Sequence, residues 1–412
     1  MALNYLKKGV VELSKYPEFV PERVRKPISD AELERRWKLV RGEMKKEGID
    51  CLVLQNDHRY RSGMVRYLTD IGNLSNPVSV VFPVEDEMTV FSNGGGYSLS
   101  QTPAYGCRGV KDRIGVPLFP TYVAGLCDAD ARGTVEIIKK RGDKKVGVVR
   151  ISTMLGGFYK YLTENLPGVE LVEFTNQIDE IKAVKSPEEI AFIRHTAKVQ
   201  DYVMEAVRSY LRPGIYEYEL RGFIIHLLSD LGSEEQLIML GSAPLGQKAG
   251  HTAHYYQNRR IEAGDNVMVM LEPNGPGGYW TELGRTFILG EPTPLLQEVW
   301  NDALKAQYYT AELCKPGATG AEVYEKYNQY LEKNGYAKET RIHAHGQGYD
   351  LMERPGIRGE DPMVIKPGMN LAIHPTLAKE GAYIFCCDNF LTTEAKPERV
   401  HTNPQELFVI DC

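Results

Sequence analysis

The chain has 412 residues, which is too long for one ordinary hydrophobic core and predicts two domains. Hydrophobic residues make up 42% and charged residues 25%, as in globular proteins, and the net charge of −6 with interspersed signs argues against nucleic-acid binding. Seven cysteines without framework spacing indicate free thiols in a reducing compartment. Because no apolar stretch resembles a signal peptide or a membrane span, we expect a cytoplasmic protein.

The first half alternates between helical and strand-like patterns. An amphipathic helix is indicated at 31–50, ending at Gly48, and another helix at 133–141. Buried strands are indicated between them and after them, at 51–56, 78–83, 88–92 and 145–151. This alternation predicts an α/β layer structure. Ser186 followed by Pro187 predicts the start of a long helix, so we expect domains at 1–180 and 181–412.

The second half combines helices with apolar strands that carry titratable residues. Helices are indicated at 215–231, 294–315 and 321–334, and strands at 266–272, 278–289, 370–374 and 383–392. Within or at the ends of these strands lie Glu272, Glu282, His374, Cys387 and Asp388. An unpaired charged group in a buried strand costs roughly several kcal/mol, so its repeated occurrence in one domain favours a functional site.

Histidines add to this pattern. The segment HTAHYYQN contains His251 and His254, and RIHAHGQG contains His343 and His345. Any one of them alone is more typical of a surface or core histidine. Together with the carboxylates they predict a pocket that moves protons or binds a metal.

The ordered segments HYYQN, GGYWTELGRTF, HAHGQG, ERP, KPGMNLAIHP and CDNFLTTE resemble the creatinase/aminopeptidase P family, with matching spacing over most of 180–394. The first half resembles the N-terminal domain of that family less specifically. The resemblance implies an α/β (α+β) protein with a creatinase-type N-terminal domain and a C-terminal pita-bread domain, whose curved antiparallel sheet holds the active site. It also implies a homodimer in which one N-terminal domain often closes the partner's pocket.

The metal-binding positions of this family are altered in the sequence. The peptidases use two aspartates, one histidine and two glutamates, and the corresponding residues are Glu272 or its neighbour, Glu282, His345, His374 and Cys387. A further histidine that contacts substrate in the peptidases corresponds to Met352. Two carboxylates, two imidazoles and a thiol carry too little negative charge for two divalent ions, so we expect either one metal, Zn or Fe, or none.

The match to creatinase suggests the roles of individual residues. The spacing from His254 to Arg285 equals that of creatinase's catalytic histidine and arginine, which supports His254 as the general base or acid. Creatinase's acidic residue corresponds to Gly284, and Glu282 shares a strand face with that position. We therefore expect His254, Glu272, Glu282 and His345 to be catalytic. The residues expected to bind substrate are His251, His343, His374, Arg66 and Glu353.

Other residues keep two interpretations. Cys387 is as compatible with a small buried apolar role as with a site role. If Cys387 faces the pocket, Asp388 points away and is structural. Glu272 could instead cap a turn at the end of its strand. Arg59 and Arg61 accompany Arg66 as potential carboxylate binders, although a solvated basic loop is the more common interpretation.

Three functions follow from the sequence. The leading expectation is a hydrolase that cleaves a C–N bond in a small polar non-peptide substrate, such as an amidine, amide or lactam. The alternative is a metal-dependent Xaa-Pro peptidase or a single-metal lyase of the same fold. The third is a non-catalytic binding protein, against which the retention of His254 and His345 argues. A small-molecule substrate and a second copy of the chain are the expected partners, with neither nucleic acid nor membrane.

Overall fold

The computed structural model describes residues 27–56, 60, 63–72, 76–94, 108–118 and 128–411. These residues form two compact units, and the chain passes from one to the other between Lys182 and Ala183. None of the described helices is long and apolar enough to cross a membrane.

The N-terminal unit contains a mixed six-stranded sheet in the order β4-β3-β2-β1-β5-β6. Its strands are β1 (Cys51–Asn56), β2 (Val78–Pro83), β3 (Met88–Asn93), β4 (Val110–Val116), β5 (Lys145–Val149) and β6 (Glu170–Glu173). Its helices are α1 (Asp30–Glu47), α2 (Gly63–Thr69), α3 (Ala129–Arg141), α4 (Gly156–Asn165) and α5 (Thr175–Ala183). The Ser29 hydroxyl caps α1 by accepting from the Glu32 N–H, and Gly48 ends it with φ of 66°.

The C-terminal unit begins with two helices that cover a four-stranded sheet in the order β17-β9-β8-β7. The helices are α6 (Pro187–Tyr210) and α7 (Glu217–Asp230), and the strands are β7 (Gln236–Pro244), β8 (Asp265–Pro273), β9 (Leu283–Leu289) and β17 (Phe408–Ile410). The Ser186 capping box starts α6, as its sequence predicts. Every residue of β8 and β9 is buried, which fits their continuous apolar runs.

A five-stranded sheet in the order β11-β10-β12-β15-β16 and a hairpin of β13 and β14 complete this unit. Their strands are β10 (Ala344–Gly346), β11 (Glu353–Gly356), β12 (Asn370–Ile373), β13 (Thr376–Lys379), β14 (Ala382–Phe385), β15 (Asp388–Leu391) and β16 (Glu398–Arg399). The helices α8 (Pro294–Leu313) and α9 (Gly320–Lys333) precede them.

The sequence predicts one strand over 383–392, and the structure divides it in two. The first part, β14, pairs with β13, whereas the second part, β15, pairs with β12. At the break, Cys387 forms an isolated antiparallel bridge with Gly284 of the four-stranded sheet. A Cβ atom at position 284 would lie 3.1 Å from the Cys387 nitrogen, so glycine permits this close approach. The two main sheets of the unit therefore meet beside Cys387.

Candidate metal and active site

The predicted titratable residues converge where the two sheets meet. Glu272 lies near the end of β8, and Glu282 immediately precedes β9. His345 lies in β10, His374 directly follows β12, and Cys387 directly precedes β15. All five are buried. Strand ends from both sheets thus bring together side chains that are distant in sequence.

Glu282, His345 and His374 form what we call the ligand triad, because one ligand atom from each lies within 4.8 Å of the others. The His345 Nδ1 lies 2.9 Å from the Gly346 carbonyl oxygen, which can only accept, so Nδ1 carries a proton. In the neutral ring, the Nε2 lone pair then faces the Glu282 Oε1 at 3.4 Å. Two acceptors at this distance require a proton or a metal cation between them.

His374 presents a second polar atom without a hydrogen-bond partner among the described residues. Its Nδ1 is buried and makes no hydrogen bond within the described part of the chain. Burial, reinforced by the neighbouring His345, lowers the pKa of His374 well below its ordinary value, so the ring is neutral. A buried neutral imidazole with an unused polar atom is a good ligand for a borderline metal such as Zn or Fe.

A network of buried amides fixes the Glu282 carboxylate. The Gln347 Nε2 donates to Glu282 Oε1 at 2.8 Å, and the Gln347 Oε1 accepts from Asn389 Nδ2 at 2.9 Å. The Asn389 Oδ1 accepts from the Glu282 N–H at 2.6 Å, and its Nδ2 also donates to Asn370 Oδ1 at 3.1 Å. These bonds leave Glu282 few orientations, which is how outer-shell residues commonly position a metal ligand.

Glu272 and Cys387 lie beside the ligand triad. Burial and the negative charge of Glu282 raise the pKa of Glu272 well above its ordinary value. Burial and the same carboxylate raise the pKa of Cys387, whose thiol donates to Glu282 Oε2 at 3.7 Å. The side chain of Cys387 therefore faces the carboxylates.

Asp388 points away from the site and forms a buried ion pair. Its Oδ1 lies 2.9 Å from the Arg285 Nη2, and both side chains are fully buried. The Arg285 Nη1 also donates to the carbonyl oxygens of Gly284 and Cys387 at 2.8 and 3.1 Å. This ion pair therefore anchors the backbone bridge that carries Cys387.

Two residues predicted to bind substrate have structural partners instead. His343 stacks on Tyr327 with ring centroids 3.6 Å apart, and its Nε2 lies 3.3 Å from the Thr310 hydroxyl. Burial lowers the pKa of His343 to about 3, so the ring is a neutral core residue. Glu353 forms a buried ion pair with Lys185 at 2.7 Å. Helix packing and ion pairing involve both side chains, and their substrate-binding roles stay predictions.

The remaining predicted residues lie at different places. His251 is exposed and lies edge-on to the Phe385 ring, with centroids 5.1 Å apart, and Phe385 stacks on His374 with centroids 5.8 Å apart.

His254 is exposed on a short 3₁₀ turn against Tyr255. Arg66 is buried in α2 of the N-terminal unit, where its charge acts on Asp70. Arg59 and Arg61 lie outside the described residues. The roles of His251, His254 and Arg66 stay predictions.

The amides around Glu282 are not among the residues that the sequence motifs single out. Gln347 lies within the segment HAHGQG, and Asn370 and Asn389 lie within apolar strands. A polar amide inside an otherwise apolar strand is the signal that could have identified them, because such groups need partners when buried.

Comparisons with known proteins identify the family and the fold. Residues 191–394 match the model of metallopeptidase family M24. The Xaa-Pro dipeptidase of Pyrococcus furiosus is 27% identical over 242 residues, which is 58% of this chain and 68% of the relative. The structure of the Xaa-Pro dipeptidase from Bacillus anthracis superposes with a TM-score of 0.73 and 22% identity, covering 92% of this chain and 99% of that one. The structure of dipeptidase PepE from Mycobacterium ulcerans superposes with a TM-score of 0.74 and 21% identity, covering 94% of this chain and 100% of that one.

These findings confirm the predicted fold and correct the predicted substrate. The predicted α/β architecture with a pita-bread domain is confirmed by the solved structures of this family. The leading expectation of a non-peptide C–N hydrolase is wrong, because these relatives are named as peptidases.

Proposed function

Because this chain belongs to metallopeptidase family M24, we propose that it is a metal-dependent hydrolase that cleaves the peptide bond of a dipeptide. The observation that carries the proposal is the ligand triad, in which acceptor atoms of Glu282, His345 and His374 converge in a buried site. Dipeptides ending in proline are the first candidate substrates, since the relative from Pyrococcus furiosus is named an Xaa-Pro dipeptidase.

The residues present fit one divalent ion. Glu282, His345 and His374 would hold it, and the unused Nδ1 of His374 together with the facing acceptors of His345 and Glu282 support this assignment. A carboxylate and two neutral imidazoles suit Zn or Fe. When bound, such an ion polarises a carbonyl and lowers the pKa of a coordinated water.

The protein's own residues would supply positioning and proton transfer. Gln347 holds Glu282 in one orientation, and Glu272 lies close enough for the two carboxylates to influence each other. Glu272 is therefore our candidate for the group that holds or moves a proton during peptide hydrolysis. His254, exposed on its turn, is the candidate for a second proton-transfer group or a contact to the substrate. Cys387 would remain a small thiol that donates to Glu282.

Assembly and location are part of the same proposal. A homodimer is supported by the family resemblance, and a reducing location such as the cytoplasm is supported by the free cysteines. Among the described residues, Cys51, Cys314, Cys386 and Cys387 are all unpaired and buried. Light scattering of the purified chain would measure the oligomeric state, and imaging of a tagged chain would show its cellular location.

The test combines metal analysis with turnover. Protein purified without chelators should contain about one Zn or Fe per chain and should release free amino acids from at least one member of an Xaa-Pro dipeptide panel. His374→Ala should lose the metal and the activity. His226→Ala is the matched control, because His226 is a partly exposed histidine on α7 that pairs with Asp230.

Three results would contradict the proposal. A metal-loaded protein that hydrolyses no dipeptide would exclude the activity. Retention of metal and turnover in His374→Ala would exclude the ligand triad. Two tightly bound metals per chain would contradict the single-ion assignment while leaving peptide hydrolysis possible.

A further inference from the structure

A buried amide on α6 joins the two chain segments that carry the glutamates of the site. The ladder between β8 and β9 ends one residue before Glu272 and one residue after Glu282. Beside this end, the Gln200 Nε2 donates to the Leu271 carbonyl oxygen at 2.8 Å and to the Thr281 carbonyl oxygen at 2.9 Å. Each carbonyl belongs to the residue directly before one glutamate, so a single amide ties the two glutamate-bearing segments together.

The oxygen of the same amide connects back to Glu282 through His401. The Gln200 Oε1 accepts from the Thr281 hydroxyl, and it lies 2.8 Å from the His401 Nε2. Because Oε1 can only accept, Nε2 carries the proton, and the His401 Nδ1 accepts from the Asn389 N–H at 3.2 Å. The Asn389 Oδ1 accepts from the Glu282 N–H at 2.6 Å. The hydrogen bonds therefore form a closed path around the backbone of Glu282.

Both members of this path are fixed in place. Gln200 and His401 are buried, and Gln200 uses both N–H groups and its carbonyl oxygen in four hydrogen bonds. The segment that carries His401 is attached to α6, because the N–H and the hydroxyl of Thr402 donate to Asp201 Oδ2 at 2.7 and 2.6 Å. The amide therefore has one orientation in which all its partners are satisfied.

We propose that Gln200, held by His401, is a positioning residue that fixes the distance between the backbones of Glu272 and Glu282. A buried carbonyl that loses its donor needs another partner, so the peptide moves or admits water, and the adjoining glutamate moves with it. Gln200 thus acts on the carboxylates through the backbone. The consequence for metal binding rests on the proposed function, because it requires that Glu282 holds the ion.

The test measures the affinity of the metal-free chain for Zn²⁺ by titration against a chelating competitor. Gln200→Met keeps the length of the side chain but removes its hydrogen bonds, and should raise the Kd about 10–100-fold. Thr281→Val is a milder variant that removes only the hydroxyl donor to Gln200, and should raise the Kd about tenfold. Thr281→Ser keeps the hydroxyl and should restore the wild-type value. Hydrogen exchange of the metal-free chain should be faster at 271–283 in Gln200→Met.

Two controls separate positioning from a general loss of stability. Gln55→Met is matched in chemistry, because Gln55 is a buried amide of the N-terminal unit that donates to Ser79 and Asp130. Ser186→Ala is matched in location, because it weakens the start of α6 without removing a hydrogen bond at 271–283. Both variants should leave the Zn²⁺ affinity unchanged.

The outcomes distinguish this role from the proposed function. An unchanged Kd in Gln200→Met and Thr281→Val, or an equal rise in the two controls, would overturn the positioning role. If Gln200→Met does not fold, the Thr281→Val and Thr281→Ser pair decides. A wild-type chain that binds neither Zn²⁺ nor Fe²⁺ would contradict the ligand triad instead. Faster exchange confined to 271–283 would then still support the role of Gln200, whereas unchanged or uniformly faster exchange would overturn it.

Discussion

The buried ion pair of Arg285 and Asp388 allows a quantitative prediction about stability. Asp388→Asn keeps the shape of the side chain but leaves the Arg285 charge fully buried without its counterion. Removing one partner of a buried pair costs about 3–5 kcal/mol in the free energy of unfolding. For a unit of this size about 1 kcal/mol shifts the melting temperature by about 2–4 °C, so we expect a fall of about 6–20 °C.

Urea denaturation and thermal melting of the purified chain measure this loss. Glu398→Gln is the control, since its ion pair with Arg194 is half exposed, with side-chain exposures of 46% and 51%. The control should lose less than about 1 kcal/mol. If Asp388→Asn loses no more than the control, then the hydrogen bonds from Arg285 to backbone carbonyls, and not the ion pair, stabilise the bridge at Cys387.

Three further predictions concern the same unit. Burial lowers the pKa of His401, so the folded chain keeps it neutral while the unfolded chain takes up a proton below its ordinary value of 6.5. As the pH is lowered below 6.5, the free energy of unfolding should therefore decrease by up to about 1.4 kcal/mol per pH unit because of this residue. Urea denaturation of His401→Gln at a series of pH values should lack this contribution to the pH dependence. Gln347→Leu removes the donor to Glu282 and should weaken metal binding about 10–100-fold in a competition titration. Ser186→Ala removes the cap of α6 and should lower the free energy of unfolding, measured by urea denaturation, by about 1 kcal/mol. Ser186→Thr should retain most of that stability, because threonine can also cap the helix.

The sequence predicted most elements because their signals are local. Apolar runs bounded by turn residues located β1 and β2 at their observed bounds, and the Ser-Pro cap located the start of α6. The division of the 383–392 strand was not predictable, because it depends on which distant strands pair with each part. The same limit applies to the structural contacts of His343 and Glu353. Only the fold reveals that Tyr327 and Lys185 already occupy them.

The charge balance of the site limits the number of metal ions that it can hold. Burial raises the pKa of both Glu272 and Glu282, so the two carboxylates would supply two negative charges only when a cation is bound beside them. His374 is neutral, and burial together with Glu282 raises the pKa of the Cys387 thiol. One divalent ion would neutralise the two carboxylates, whereas a second would leave uncompensated positive charge in a buried site. The charges of this site are therefore consistent with one ion and a fixed carboxylate. The amides of Gln347 and Asn389 then hold Glu282 where it serves that ion.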